Sequence, residues 1–72
     1  MNQTRRDIEA FVRRIVIEIE TVEATGVRDS GAIADHFNAT GLTTRKGRPW
    51  TAATVAKFRA SPGARRFRSA PA

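Results

Sequence analysis

At 72 residues, with no cysteine and a single histidine, the chain can form no more than one small domain and can hold neither a disulfide nor a cysteine-based zinc site. No apolar run approaches the roughly 18 residues that cross a bilayer, and no signal-peptide pattern opens the chain. These features predict a cytoplasmic protein without a membrane contact.

Positive charge is concentrated in the second part of the chain. Residues 1–28 carry five arginines and five acids, whereas residues 29–72 carry eight basic residues and two acids, which accounts for the whole net charge of +6. No acidic residue follows Asp35. This asymmetry indicates a polyanionic partner for one half of the molecule, and nucleic acid is the commonest such partner. A membrane surface, or charge that merely solvates the protein, is the alternative.

Apolar residues recur at three- and four-residue spacing from Thr4 to about Thr25 and predict one long amphipathic helix. The stripe consists of Ile8, Phe11, Val12, Ile15, Ile19 and Val22. Thr4 is expected as the N-cap, and Gly26 as the left-handed residue that ends the helix. Because β-branched residues alternate with glutamates over residues 15–22, a short strand is the second interpretation there.

Two shorter helices are predicted further along. The first has Ser30 as its N-cap, ends near Ala39, and is stopped by Gly41, with Leu42 folding back over its end. A polar connector over residues 43–50 follows, in which Pro49 cannot continue a helix. The next helix covers residues 51–60, with Thr51 as its N-cap.

These elements predict an all-α, three-helix, helix-turn-helix-like domain over residues 1–61, with a long first helix and an extended connector between the second and third helices. Residues 62–72 are expected to form a flexible basic tail. The connector has eight or nine residues, against the three or four that are usual in a helix-turn-helix.

The stretch from Ile33 to Val55 resembles the DNA-binding recombinase domain that follows the catalytic domain in large serine recombinases. The matching positions are Ile33, Ala34, Asn38, Gly41, Thr44, Gly47, Trp50, Thr51 and Val55. Phe37 and Leu42 replace the usual leucine and isoleucine. The resemblance covers about residues 9–61 and implies a DNA-binding module without the family's catalytic domain, for which this chain has no room.

The candidate DNA contacts follow from charge and position. Arg45, Lys46 and Arg48 of the connector are expected on phosphates. The first turn of the third helix offers the hydroxyls of Thr51 and Thr54 to a phosphate or a base edge. The remaining candidates are Lys57 on the outer face of this helix, Arg59 at the border of that face, and Arg65, Arg66 and Arg68 as an arm along the backbone or in the minor groove.

Other residues favour structural interpretations. Trp50, directly before the third helix, is expected to fill the core between the second and third helices. His36 has no second ligand at a suitable spacing, so no metal site is predicted. The serines Ser30, Ser61 and Ser69 have no partner base, so no catalytic residues, cofactor or small-molecule ligand are expected. Ile17 lies opposite the apolar stripe and leaves a homodimer or protein contact on the first helix as an open alternative.

The leading hypothesis is a sequence-specific binder of double-stranded DNA, acting as a phage- or mobile-element-related transcriptional regulator in the bacterial nucleoid. Its third helix would occupy the major groove, with the connector and tail on phosphates. The alternatives are a recombination accessory factor and an adaptor that docks an acidic protein surface such as RNA polymerase. RNA binding is disfavoured, because no sheet offers a stacking platform, and an enzyme is the least favoured class.

Overall fold

A computed structural model describes residues 3–68, with side chains for residues 5–68. It contains four helices: α1 (Gln3–Glu23), α2 (Ser30–Ala39), α3 (Ala52–Ala60) and α4 (Pro62–Phe67). Within these described residues there is no strand. The expected all-α fold is therefore confirmed, and the alternative of a strand over residues 15–22 is wrong, because those residues lie inside α1.

The first helix follows the predicted apolar stripe over its second half. Ile15, Ile19 and Val22 are buried in the main core, whereas Ile8 stays 36% exposed. Val16 is also buried, although it was not part of the predicted stripe. The helix already includes Gln3, so Thr4 is not its N-cap; the side chain of Thr4 lies outside the described part of the chain.

Both helix ends predicted at glycines are confirmed. Gly26 has φ +98° after α1, and Gly41 has φ +81° after α2. The N–H of Gly41 donates to the carbonyl of Asn38 (3.2 Å), and the N–H of Leu42 donates to the carbonyl of Phe37 (2.9 Å). This is the Schellman arrangement, which satisfies the last carbonyls of a helix and turns the apolar Leu42 back onto the core.

The start of α2 differs from the prediction by one residue. Asp29, rather than Ser30, is the N-cap, and its Oδ2 accepts from the N–H of Ala32 at 3.0 Å. Ser30 is instead the first residue of the helix. Since aspartate and serine are equally good caps, tertiary contacts decide between them, and the hydroxyl of Ser30 accepts a hydrogen bond from Arg59 (3.2 Å).

Trp50 lies in the core, as predicted, and joins α2 to α3. Its side chain is 3% exposed and meets the ring of Phe37 at 5.3 Å and that of Phe58 at 5.9 Å, in both cases edge to face. Val55 of α3 is fully buried in the same cluster. Edge-to-face aromatic pairs favour this spacing, so the three rings fix how the second and third helices pack together.

A fourth helix occupies residues that were expected to belong to a flexible tail. Ser61 caps it by accepting from the N–H of Ala64 (3.2 Å), Pro62 is its first residue, and Ala64 is buried. α4 packs against α1, where Gly63 comes close to Val12. Residues 62–67 of the expected tail therefore form a helix, because Ala64 is buried and α4 packs on α1; residues 69–72 lie outside the described range.

Candidate nucleic-acid interface

The connector between α2 and α3 contains a tight turn over residues 44–48, here called the basic turn. Thr44 organises it: its N–H donates to the carbonyl of Arg48 (2.9 Å), its carbonyl accepts from Gly47 (2.9 Å), and its hydroxyl accepts from the N–H of Arg48 (3.1 Å). Gly47 has φ +77°, which few other residues adopt without strain. Arg45, Lys46 and Arg48 are all exposed on this turn.

Both sides of the basic turn are anchored in the core. Leu42 packs there before the turn, and Trp50 is buried after it. The side-chain amide of Asn38 pairs with the backbone of Trp50, since its Nδ2 donates to the carbonyl (2.9 Å) and its Oδ1 accepts from the N–H (2.9 Å). Three cationic side chains are thus carried on a short segment with fixed ends.

The exposed face of α3 consists almost entirely of alanine. Its exposed residues are Ala52, Ala53, Ala56, Lys57 and Ala60. Thr51 is the N-cap, as predicted, and accepts from the N–H of Thr54 (3.1 Å), while the two hydroxyls also bond to each other at 2.6 Å. Among the exposed residues of this helix, only Lys57 therefore carries a hydrogen-bond donor in its side chain.

The basic turn and the start of α3 share one surface. Arg45, Lys46 and Arg48 line a shallow cleft together with Thr51 and Thr54. Arg45 also lines a neighbouring apolar cleft with Lys57, beneath which Trp50 and Phe58 lie. Six of the ten predicted contact residues, namely Arg45, Lys46, Arg48, Thr51, Thr54 and Lys57, are brought together in this way.

Arg59 and Arg68 are placed differently, because both bind the buried carboxylate of Glu23. Arg59 donates to Oε2 at 3.0 Å and Arg68 to Oε1 at 2.8 Å. Arg59 also donates to the carbonyl of Arg28 (2.8 Å), and Arg68 lies 3.8 Å from a carboxylate oxygen of Glu20. These guanidinium groups tie α3 and the end of α4 to the C-terminal end of α1.

Arg65 and Arg66 are exposed on α4. Arg66 lies 4.0 Å from a carboxylate oxygen of Glu9, at the limit of an ion pair. The ring of Phe67 has two guanidinium groups over it, those of Arg13 at 4.8 Å and Arg66 at 5.3 Å. Neither Arg65 nor Arg66 lines the clefts that join the basic turn to α3.

Sequence reasoning missed Glu23 and the role of Asn38. Nothing in the local pattern identifies Glu23, because its partners Arg59 and Arg68 lie 36 and 45 residues away. Asn38 did match a position of the recombinase-domain pattern, but the pattern alone did not indicate its hydrogen bonds to the backbone of Trp50.

Three further features concern other classes of function. Among the described residues, no group of histidine, cysteine or acidic side chains could hold a metal ion, and His36 is exposed. None of the described helices is long and apolar enough to cross a membrane. Ile17 is 61% exposed on α1, so the face expected for a homodimer or protein contact is accessible.

Comparison with known proteins supports the resemblance drawn from the sequence. A family model described as a recombinase-like helix-turn-helix domain matches residues 1–64. No curated protein and no solved structure gives a significant match. The matched range includes α1, α2, the basic turn and all of α3.

Proposed function

We propose that this chain, which belongs to the recombinase-like helix-turn-helix family, is a sequence-specific binder of double-stranded DNA that regulates transcription. Helix-turn-helix domains bind DNA and are typically not catalytic, so the family supports DNA binding in general. The regulatory role, in a phage or another mobile element, goes further. It is supported by the high positive charge of the chain, which suits a DNA partner.

The observation that carries the proposal is the basic turn beside the exposed face of α3. Three cations on a segment with fixed ends supply positive charge of the kind that dominates affinity for DNA. Apart from Lys57, the exposed face of α3 has only methyl groups, so the α3 backbone can approach the floor of the major groove closely and contact thymine methyls. Arg45 and Lys57 meet at the same surface.

The binding surface we propose excludes Arg59 and Arg68. Moving either guanidinium to a phosphate would leave the buried Glu23 carboxylate with a single partner, which is unfavourable in a small core. Arg65 and Arg66 extend the basic surface along α4 and are proposed to contact the DNA backbone next to the main site.

Titration of the chain with random duplex DNA, duplex RNA and an acidic protein tests this function, with fluorescence anisotropy as the readout. We expect binding to duplex DNA at low salt that weakens steeply as salt is added. No duplex binding at low salt would contradict the proposal. Tight binding to the acidic protein alone would favour the adaptor hypothesis.

Two triple variants that each lose three positive charges show whether DNA affinity depends on the location of the charges or only on the net charge. Replacing Arg45, Lys46 and Arg48 by Gln removes three charges from the basic turn. Replacing Arg5, Arg6 and Arg28 by Gln removes three exposed charges elsewhere. We expect the first variant to lose at least about a hundredfold in DNA affinity and the second to lose far less. Equal losses would mean that DNA binding has no defined surface.

A homodimer or protein contact through the exposed Ile17 face of α1 remains a prediction. A homodimer would fit regulation at a two-fold symmetric site, whereas a recombination accessory role would also allow a monomer. Sedimentation with and without duplex DNA distinguishes the two states. An Ile17→Gln variant that changes neither result would remove this face as a contact.

A further inference from the structure

The distribution of hydrogen-bonding groups on the proposed DNA surface is uneven. The exposed positions of α3 are four alanines and Lys57. The hydroxyls of Thr51 and Thr54 bond to each other, and Thr51 also caps the helix, so both are engaged within the protein. A helix with this face can pack against bases, but it has few groups with which to distinguish one base pair from another.

The basic turn has the groups that α3 lacks. Arg45 and Arg48 each present a planar guanidinium with five N–H donors. Both are exposed, and neither side chain has a hydrogen bond or ion pair to the described part of the protein. Gly47, also on this turn, has open space around the position where a side chain would start.

We propose that Arg45 and Arg48 enter the minor groove beside the major groove that α3 occupies, and that they carry most of the base discrimination. The inference rests on the proposed DNA binding and specifies how the same surface reads a site. A turn directly before a helix in the major groove faces the flanking phosphate strand, and the minor groove lies on the other side of that strand. That groove is about 6 Å wide, so it admits extended arginine side chains but not a helix.

The chemistry favours a flank rich in A·T pairs. Runs of A·T have a narrow minor groove with a strongly negative potential, which attracts arginine. Guanidinium is more weakly hydrated than ammonium and therefore enters such a groove more easily than lysine. The amino group of guanine also obstructs the floor of the groove in G·C pairs. Lys46, the third cation of the basic turn, then remains on phosphate.

The test starts from a preferred duplex selected from a random pool and exchanges single base pairs in its flank. Inosine·cytosine has the minor-groove pattern of A·T but the major-groove pattern of G·C, whereas diaminopurine·thymine adds an amino group to the minor groove. We expect inosine·cytosine to preserve affinity within about threefold, and diaminopurine·thymine to reduce it about tenfold or more. The opposite pattern would overturn the inference and leave DNA binding intact.

A charge-conserving variant provides the second measurement. Arg45→Lys with Arg48→Lys keeps the net charge, so binding to random DNA should hold within about threefold, while the preference for A·T over G·C in the flank should fall about tenfold. Arg5→Lys with Arg6→Lys is the matched control and should change neither value. Retained discrimination in the first variant would overturn the inference alone. A chain that binds no duplex, or a pool that yields no preferred sequence, would overturn both the inference and sequence-specific binding.

Discussion

Asn38 and Trp50 form a two-way hydrogen bond between a side-chain amide and a backbone. The amide of Asn38 accepts from the N–H of Trp50 and donates to its carbonyl, with both distances at 2.9 Å. A neighbouring strand would normally satisfy such a pair of backbone groups. Here one residue of α2 performs that role and fixes where the basic turn ends.

Replacing Asn38 by Ala leaves both backbone groups of a buried residue without their partner. We expect a loss of about 1.5 kcal/mol in the free energy of unfolding. His36→Ala is the control, because it is exposed on the same helix and gains similar helix propensity; its change should stay within about 0.5 kcal/mol. Amide hydrogen exchange at Gly47 and Arg48 should also accelerate in Asn38→Ala. An unchanged exchange rate would show that the basic turn is ordered without the hydrogen bonds between Asn38 and Trp50.

Glu23 is predicted to be the most sensitive charged residue in the chain. Glu23→Gln removes the buried carboxylate that binds Arg59 and Arg68, which should destabilise the domain by about 3 kcal/mol. Glu18→Gln makes the same change in net charge, but it breaks only an exposed contact with Arg14 at 3.9 Å, worth about 0.5 kcal/mol at most. Chemical denaturation measures both variants. Similar denaturation midpoints for the Glu23→Gln and Glu18→Gln variants would contradict a structural role for Glu23.

Trp50→Ala should destabilise the domain by about 3 kcal/mol or more, because it removes the ring between Phe37 and Phe58. Trp50→Phe should be milder, since the indole Nε1 is buried without a hydrogen-bond partner among the described residues and its removal breaks no such bond. Thermal unfolding followed by circular dichroism compares the variants. If Trp50→Ala melts like the parent but fails to bind DNA, Trp50 is a contact residue.

The salt dependence of the DNA-binding constant reports how many cationic side chains displace counterions from the DNA. Six of the predicted DNA-contact residues are cationic and do not bind Glu23: Arg45, Lys46, Arg48, Lys57, Arg65 and Arg66. If five or six of them displace counterions, either on phosphates or in the minor groove, the logarithm of the binding constant should fall against that of salt with a slope near about −5. Lys57→Gln should make the slope shallower by about 1, whereas Arg59→Gln should leave it unchanged. A shallower slope in Arg59→Gln would place Arg59 on the DNA.

Local sequence patterns predicted the features that depend on local physics. Glycines with positive φ end α1 and α2 where they were expected, and Thr51 caps α3. The pattern could not predict α4, because Ser61, Pro62 and Gly63 indicate a break and only burial of the segment on α1 makes a helix favourable. The same applies to Arg59 and Arg68, which looked like surface cations until the fold placed Glu23 between them.

The hydrogen bonds within the basic turn also determine when the conformational entropy of this loop is lost. A loop that becomes ordered only on contact with its target pays for that order out of the binding free energy. Here the hydrogen bonds of Thr44 and the anchoring of Trp50 already order the turn in the free protein. DNA should therefore meet a preformed surface, with an association rate set by long-range electrostatic attraction rather than by a conformational search.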